Sequence, residues 1–233
     1  AMGSQDLNYY SIVRKILDSR DANNNIDPIA GEAAGYALGL IMVGHGQSPE
    51  LNDLFEVAHK TRHEKIARSV SFGIAFMMYG LEDKSEEVVN KLLQEREPIL
   101  REAAAWVTAL AYVGTSSNTG LQRLLHICIS DVNDDVRRAA TIGLGFILSR
   151  DPHRLPSIIK LLAASYNPAV RNGAALATGI AFAGSGNSEA IEIIKPLLQD
   201  ESPFVMQAAM ISMALVLQEQ SDNSVPYCKE FRQ

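Results

Sequence analysis

Basic charge, cysteine and long apolar runs are all in short supply in this sequence. Lys and Arg number 21 against 27 Asp and Glu, a net charge of −6 over 233 residues and a pI near 5.4. A protein that tracks a nucleic-acid backbone needs a basic stripe, so this balance argues against nucleic acid as a partner. The two cysteines are Cys128, in an apolar run, and Cys228, near the end. They permit no disulfide framework and no zinc-ligand spacing, and they point to a reducing compartment. A membrane helix needs about 20 apolar residues, and the run Ala33–Val43 has about half that. No segment alternates like a β-strand, and no signal-peptide pattern is read. "AMGS" at residues 1–4 has the look of an expression-vector remnant and is set aside, so the chain is expected to be a piece of something longer.

Glycine is what stands out. "GEAAGYALGLIMVGHG" (31–46) carries Gly31, Gly35 and Gly39 at intervals of four. A dinucleotide fingerprint needs a different spacing after a strand, and a Walker loop needs G-K-[ST]. Intervals of four place these glycines on one face of an α-helix. Three helical glycines cost roughly 2–3 kcal/mol against alanine. Close approach of a neighbouring helix would offset that cost.

The stretch repeats. Gly39 has equivalents at Ala75, Ala109, Gly145, Gly179 and Ala214, with steps of 36, 34, 36, 34 and 35 residues. Twelve residues before this anchor, Asp27, Asn133, Asn167 and Ser202 are good helix N-caps, while His63 and Glu97 hold the same column. The next column reads Pro28, Glu64, Pro98, Asp134, Pro168 and Pro203, suited to a first helical turn. Eight before the anchor stand Arg101, Arg137 and Arg171. Four before it come Gly35, Ser71, Ala105, Thr141, Ala175 and Met210, which with the anchors form a small-residue stripe in five of six helices. Beside it runs a large apolar stripe, Tyr36, Phe72, Trp106, Ile142, Leu176 and Ile211, continued by Leu40, Phe76, Leu110, Phe146, Ile180 and Leu215. Gly44, Gly80, Gly114 and Gly184 fit helix-ending C′ positions.

Each such helix is followed by a more polar one, predicted at 51–60, 86–95, 121–129, 156–164 and 189–199, with Pro196 kinking the last. Residues 5–20 read as the second helix of a preceding repeat, and 221–233 as the start of a further helix. The fold class is therefore all-α: a solenoid of about six helix-turn-helix repeats over residues 27–220. Small faces on one side and bulkier helices on the other should bend it into an open arc, part of an α-α toroid, with sticky end faces.

The A-A-x-A-L-G-L-x-x-x-G pattern at this period resembles the proteasome/cyclosome repeat. "GEAAGYALGLIMVG", "RRAATIGLGFILSR" and "RNGAALATGIAFAG" carry the resemblance, which extends over roughly residues 25–220. The third repeat departs most, with Val107-Thr108-Ala109 in place of G-L-G. Residues 167–220 look most like the second of the two large non-ATPase scaffold subunits of the proteasome regulatory particle. The resemblance implies a toroid that docks other regulatory-particle subunits, the ATPase ring and the lid, in cytoplasm and nucleus. A receptor for ubiquitin-like domains or peptides is the alternative, as is the equivalent scaffold of the cyclosome ubiquitin ligase.

Other constellations read as structural. His59 and His63 share a helical spacing, but His63 sits in the N-cap column. His126 and Cys128 flank Ile127 in an apolar helix, and "DVNDDVRR" puts its acids where a helix start favours them. "GSGNSE" (184–189) is read as an inter-helix turn before an anion nest. No nucleophile set, metal set or cofactor loop emerges, so catalytic, cofactor and metal residues are expected to be none. The residues singled out are the packing stripe (Gly35, Gly39, Ser71, Ala75, Ala105, Ala109, Thr141, Gly145, Ala175, Gly179, Ala214) and a basic cluster for partner docking (Lys60, Arg62, Lys65, Arg68).

Overall fold

A computed structural model describes residues 2–18, 27–220, 224–225 and 227. Among these residues there are helices and no strands. The chain divides into two compact units, Ala1–Tyr112 and Val113–Gln233.

In the first unit, α1 (Leu7–Asp18), α3 (Pro49–Lys60) and α5 (Glu86–Leu93) are the polar helices, and α2 (Pro28–Ile41), α4 (Glu64–Met77) and α6 (Pro98–Ala111) are the small-faced ones. In the second, α7 (Asn118–Ser130), α9 (Leu155–Ala163) and α11 (Ser188–Ile194) alternate with α8 (Asp134–Ile147), α10 (Pro168–Ala181) and α12 (Pro203–Val216). Every small-faced helix has 14 residues. The polar helix expected at 189–199, α11, does not run through to residue 199. It changes to a 3-10 turn at Lys195–Gln199, because Pro196 has no N–H for the α-helical ladder. The segment expected from Ser221 onward, and Cys228, lie outside the described residues save for 224–225 and 227.

Helix starts follow the sequence in part. The Asp27 carboxylate accepts from the Ile29 N–H, Asn133 from Asp135 and Val136, and Asn167 from Ala169. Ser202 makes no side-chain cap. Its own N–H donates to the Asp200 carboxylate at 2.9 Å, so the acid two residues earlier organises that turn.

Gly44, Gly80, Gly114 and Gly184 do adopt positive φ, which a side chain would strain. They lie two residues past the C-caps Met42, Met78, Tyr112 and Phe182, one position beyond C′. Their N–H groups have a further use. Gly44 donates to the Phe76 carbonyl, Gly80 to Leu110, Gly114 to Phe146 and Gly184 to Leu215. Each acceptor is the residue just after the next anchor, so the turn of one repeat caps the orphan carbonyls of the next small-faced helix. Gly3 and Gln5 donate in the same way to Leu40 and Ile41. Gly186 joins in by donating to Val216. The N–H groups of "GSGNSE" that an anion nest would use are therefore already spent.

Candidate interaction surface

The small stripe is a packing surface, and the structure identifies what it packs against. A Cβ added to Gly39 would meet the Gly73 carbonyl oxygen at 2.7 Å and its carbonyl carbon at 2.8 Å. One on Gly145 would meet the Ala177 Cα at 2.7 Å, and one on Gly179 the Ser212 Cα at 2.7 Å. One on Gly35 would meet the Val70 nitrogen at 2.9 Å. In each case backbone lies where a side chain would go, so nothing flexible can give way.

The register is constant. The anchor of one helix meets the residue two before the next anchor: Gly39 with Gly73, Gly145 with Ala177, Gly179 with Ser212. A second small column therefore exists, six and two residues before each anchor. It reads Ala33/Ala37, Ser69/Gly73, Ala103/Val107, Ala139/Gly143, Gly173/Ala177 and Ala208/Ser212. Sequence reasoning missed it, although its signal is as regular as that of the first. Val107 is its one large member and lies in the repeat that departs most from the pattern. Gly35, Gly39, Ser71, Ala75, Ala105, Ala109, Thr141, Gly145, Ala175 and Gly179 are buried. Ala214 is not. Helix α12 meets α10 through Ser212 in the same register as the other helices, and its anchor column, with Met210 and Ile211, is exposed because α12 is the last small-faced helix among the described residues.

The large apolar stripe is only half-buried. In the first unit its rings form a ladder: Tyr36 to Phe72 at 5.9 Å between centroids, and Phe72 to Trp106 at 5.1 Å, with Phe76 at 6.5 Å from Phe72. The deep core comes from neighbouring columns instead, such as Leu38, Ile74 and Leu144, all fully buried.

In α6, α8 and α10 an arginine eight before the anchor ties the helix to carbonyls at or just after the end of the preceding polar helix. Arg101 donates to the Glu95 and Arg96 carbonyls, Arg137 to the Cys128 carbonyl, and Arg171 to those of Ser165 and Tyr166. Arg171 also grips Asp200 with two bonds, at 2.7 and 2.8 Å, which hold that carboxyl below the usual range.

The expected docking cluster is exposed throughout, at the end of α3 and the start of α4. Lys60 pairs with Glu56 and Arg68 with Glu64, both at 2.8 Å one helical turn away. These partners offset half of its charge and leave Arg62 and Lys65 as its outward cations. Both ring nitrogens of His59 are engaged, Nδ1 with the Phe55 carbonyl at 2.7 Å and Nε2 with Glu95 at 3.0 Å. His126 is exposed while Cys128 is buried against the Thr141 hydroxyl, so the two do not share a face. Burial pushes the Cys128 thiol up, away from a reactive thiolate. Among the described residues no cluster of three or more metal-ligating side chains forms, and no helix is long and apolar enough to cross a membrane.

Residues 173–205, from within α10 to the start of α12, match the proteasome/cyclosome repeat. That segment is similar to one copy of the repeat. Over 232 residues, 100% of the chain, it is 42% identical to the 26S proteasome non-ATPase regulatory subunit 1 homolog B of Arabidopsis thaliana. It is 44% identical over 208 residues, 89% of the chain, to the 26S proteasome non-ATPase regulatory subunit 1 of Drosophila melanogaster. It is 43% identical over 221 residues, 95% of the chain, to the 26S proteasome regulatory subunit rpn2 of Schizosaccharomyces pombe. The chain spans about a fifth of the length of these relatives, 22%, 20% and 22% respectively. Among solved structures, human deoxyhypusine hydroxylase aligns with 91% of the chain and the chain with 75% of it, at a TM-score of 0.42 and 16% identity, too slight a likeness to bear on activity. The matched segment includes Gly173 and Ala177, which face α8, and Gly179, whose partner Ser212 in α12 lies beyond the match.

Proposed function

We propose that this chain is a non-catalytic scaffold segment of a proteasome regulatory particle, supporting ubiquitin-dependent degradation by holding other subunits in place. The observation that carries this reading is identity above 40%, over nearly the whole chain, to subunits named as non-ATPase parts of the 26S proteasome. The chemistry agrees with it. The regular columns are spent on packing, capping and turn bonds, which make a rigid support, and the surface columns vary from repeat to repeat. Its partners are other regulatory-particle subunits, the ATPase ring and lid among them, and its compartments are the cytoplasm and nucleus. The Lys60, Arg62, Lys65 and Arg68 cluster is one docking patch, with Arg62 and Lys65 its working charges.

Affinity purification of the full-length protein from cells, followed by mass spectrometry, tests the assignment. Recovery of regulatory-particle subunits is the expected result. Recovery of cyclosome ligase subunits, or of no proteasome component, overturns it. Reversing Arg62 and Lys65 to Glu should lower the yield of assembled particle without lowering the melting temperature. An unchanged yield removes that patch.

A further inference from the structure

The residue just before the N-cap of each of the small-faced helices α4, α6, α8, α10 and α12 has an exposed side chain, so packing places no demand on it. In three repeats it is charged, as solvent favours: Arg62, Arg96 and Glu201. In two consecutive repeats of the second unit it is Val132, 91% exposed, and Tyr166, 86% exposed. Ile129, in the last turn of α7, and Leu161, in α9, add large apolar side chains at 72% and 79% exposure. Singly such residues are ordinary, but four of them on consecutive repeats of one unit make an apolar surface of the kind that marks an interaction site.

These turns are tied together. Asn167 Nδ2 donates to Asp134 Oδ1 at 2.6 Å, which joins the turn of Val132 to that of Tyr166. Arg171 bonds the Tyr166 carbonyl and the Asp200 carboxylate at once, which joins the turn of Tyr166 to that of Glu201. Val132, Tyr166 and Glu201 thus form one continuous edge. Its outward charge is acidic. Asp134 and Asp135 open α8 beside Val132, and Glu201 stands beyond Tyr166; Arg137, 3.9 Å from Asp134, offsets part of that charge while its Nε bonds the Cys128 carbonyl, and Arg171 is spent on Asp200 and backbone carbonyls.

We infer that the Val132–Tyr166 edge docks a basic amphipathic helix of a neighbouring subunit, seating two apolar side chains on Val132 and Tyr166 and placing Lys or Arg against Asp134, Asp135 and Glu201. This rests on the scaffold reading and names the chemistry of one partner. Neighbouring packed helices lie about 8–10 Å apart. A helix rises about 1.5 Å per residue, so apolar residues seven apart span roughly the same distance. The acidic flanks select the sign of the partner.

The test places p-benzoylphenylalanine, a photo-crosslinker, at position 166 of the full-length protein and irradiates the assembly purified from cells. The expected cross-linked peptide comes from another chain, has apolar residues at helical spacing and carries at least two Lys or Arg within a turn of them. Val132→Glu in the same protein should cut the cross-link yield at least tenfold, with an unchanged thermal melt showing that the fold is intact. Cross-linking to an acidic segment, to a second copy of this chain, or to nothing overturns the inference. Co-purifying proteasome subunits are scored in the same sample. Their presence without a cross-link at position 166 sinks this inference alone, and their absence sinks the scaffold reading.

Discussion

The two units are built on one packing register and differ in where they leave apolar surface. In the first, the column three before the anchor is aromatic, and Tyr36, Phe72 and Trp106 stack into a half-exposed ladder along the small-faced helices. In the second, that column is Ile142, Leu176 and Ile211, while the apolar surface moves to the turns at Val132 and Tyr166. At the turns the first unit has Arg62 and Arg96. Positions that touch the neighbouring helix stay small in both units, Val107 excepted, because backbone stands behind them. Positions that face solvent diverge, because the fold does not constrain them, and the divergence is what can distinguish partners.

The sharpest way to break this comparison is at the shared register. Gly39→Leu in the first unit and Gly145→Leu in the second should each cost at least about 3 kcal/mol or abolish soluble expression, read by urea denaturation, since overpacking against immobile backbone is costly. Gly→Ala at an ordinary helical site gains up to about 1 kcal/mol; at these two sites the sign should reverse. A neutral result in one unit only would show that the units do not share the register.

The ladder comes next. Phe72→Ala removes three ring contacts as well as buried area and should cost roughly 2–3 kcal/mol. Leu176→Ala, at the matching half-buried position of the second unit, should cost about 1 kcal/mol less, measured in the same denaturation series. Equal costs would mean that the rings add nothing beyond area.

Capping gives a smaller contrast within the second unit. Asn133→Ala should cost about 1 kcal/mol, because the side chain accepts from two N–H groups of the first turn. Ser202→Ala should be nearly neutral, because Asp200 organises that turn instead.

The smallest effect is one of pH. Arg171 lowers the Asp200 pKa on folding, so the folded state binds that proton less readily than the unfolded chain. The stabilisation is complete above the unfolded carboxylate value of about 3.9 and is lost as pH falls through the lower folded value. Melting temperature should therefore drop on acidification below about pH 4, and Asp200→Asn should flatten that part of the profile. An identical acid limb in the variant would show that the pair does not contribute.

Much of this was legible in the sequence. The period, the helix pairs, the buried anchors and most caps follow from local chemistry, since proline, glycine and N-cap residues act within a turn of themselves. The second small column was equally visible at Ser69/Gly73 and Gly173/Ala177, but nothing local says that two stripes on one helix serve two different neighbours. Ala214 looked like every other anchor, and its exposure reflects that no small-faced helix after α12 is among the described residues.

By itself, the sequence determined that this chain is all-α, that its repeat is about 35 residues and that small residues recur at four-residue spacing, because helical periodicity and capping are short-range. Only the tertiary structure decided which residue meets which: Gly39 on Gly73, the turn glycines on the next helix's carbonyls, and Val132 and Tyr166 on one edge. Those pairings join residues about one repeat apart in the chain, and they exist only once neighbouring helices have packed backbone to backbone.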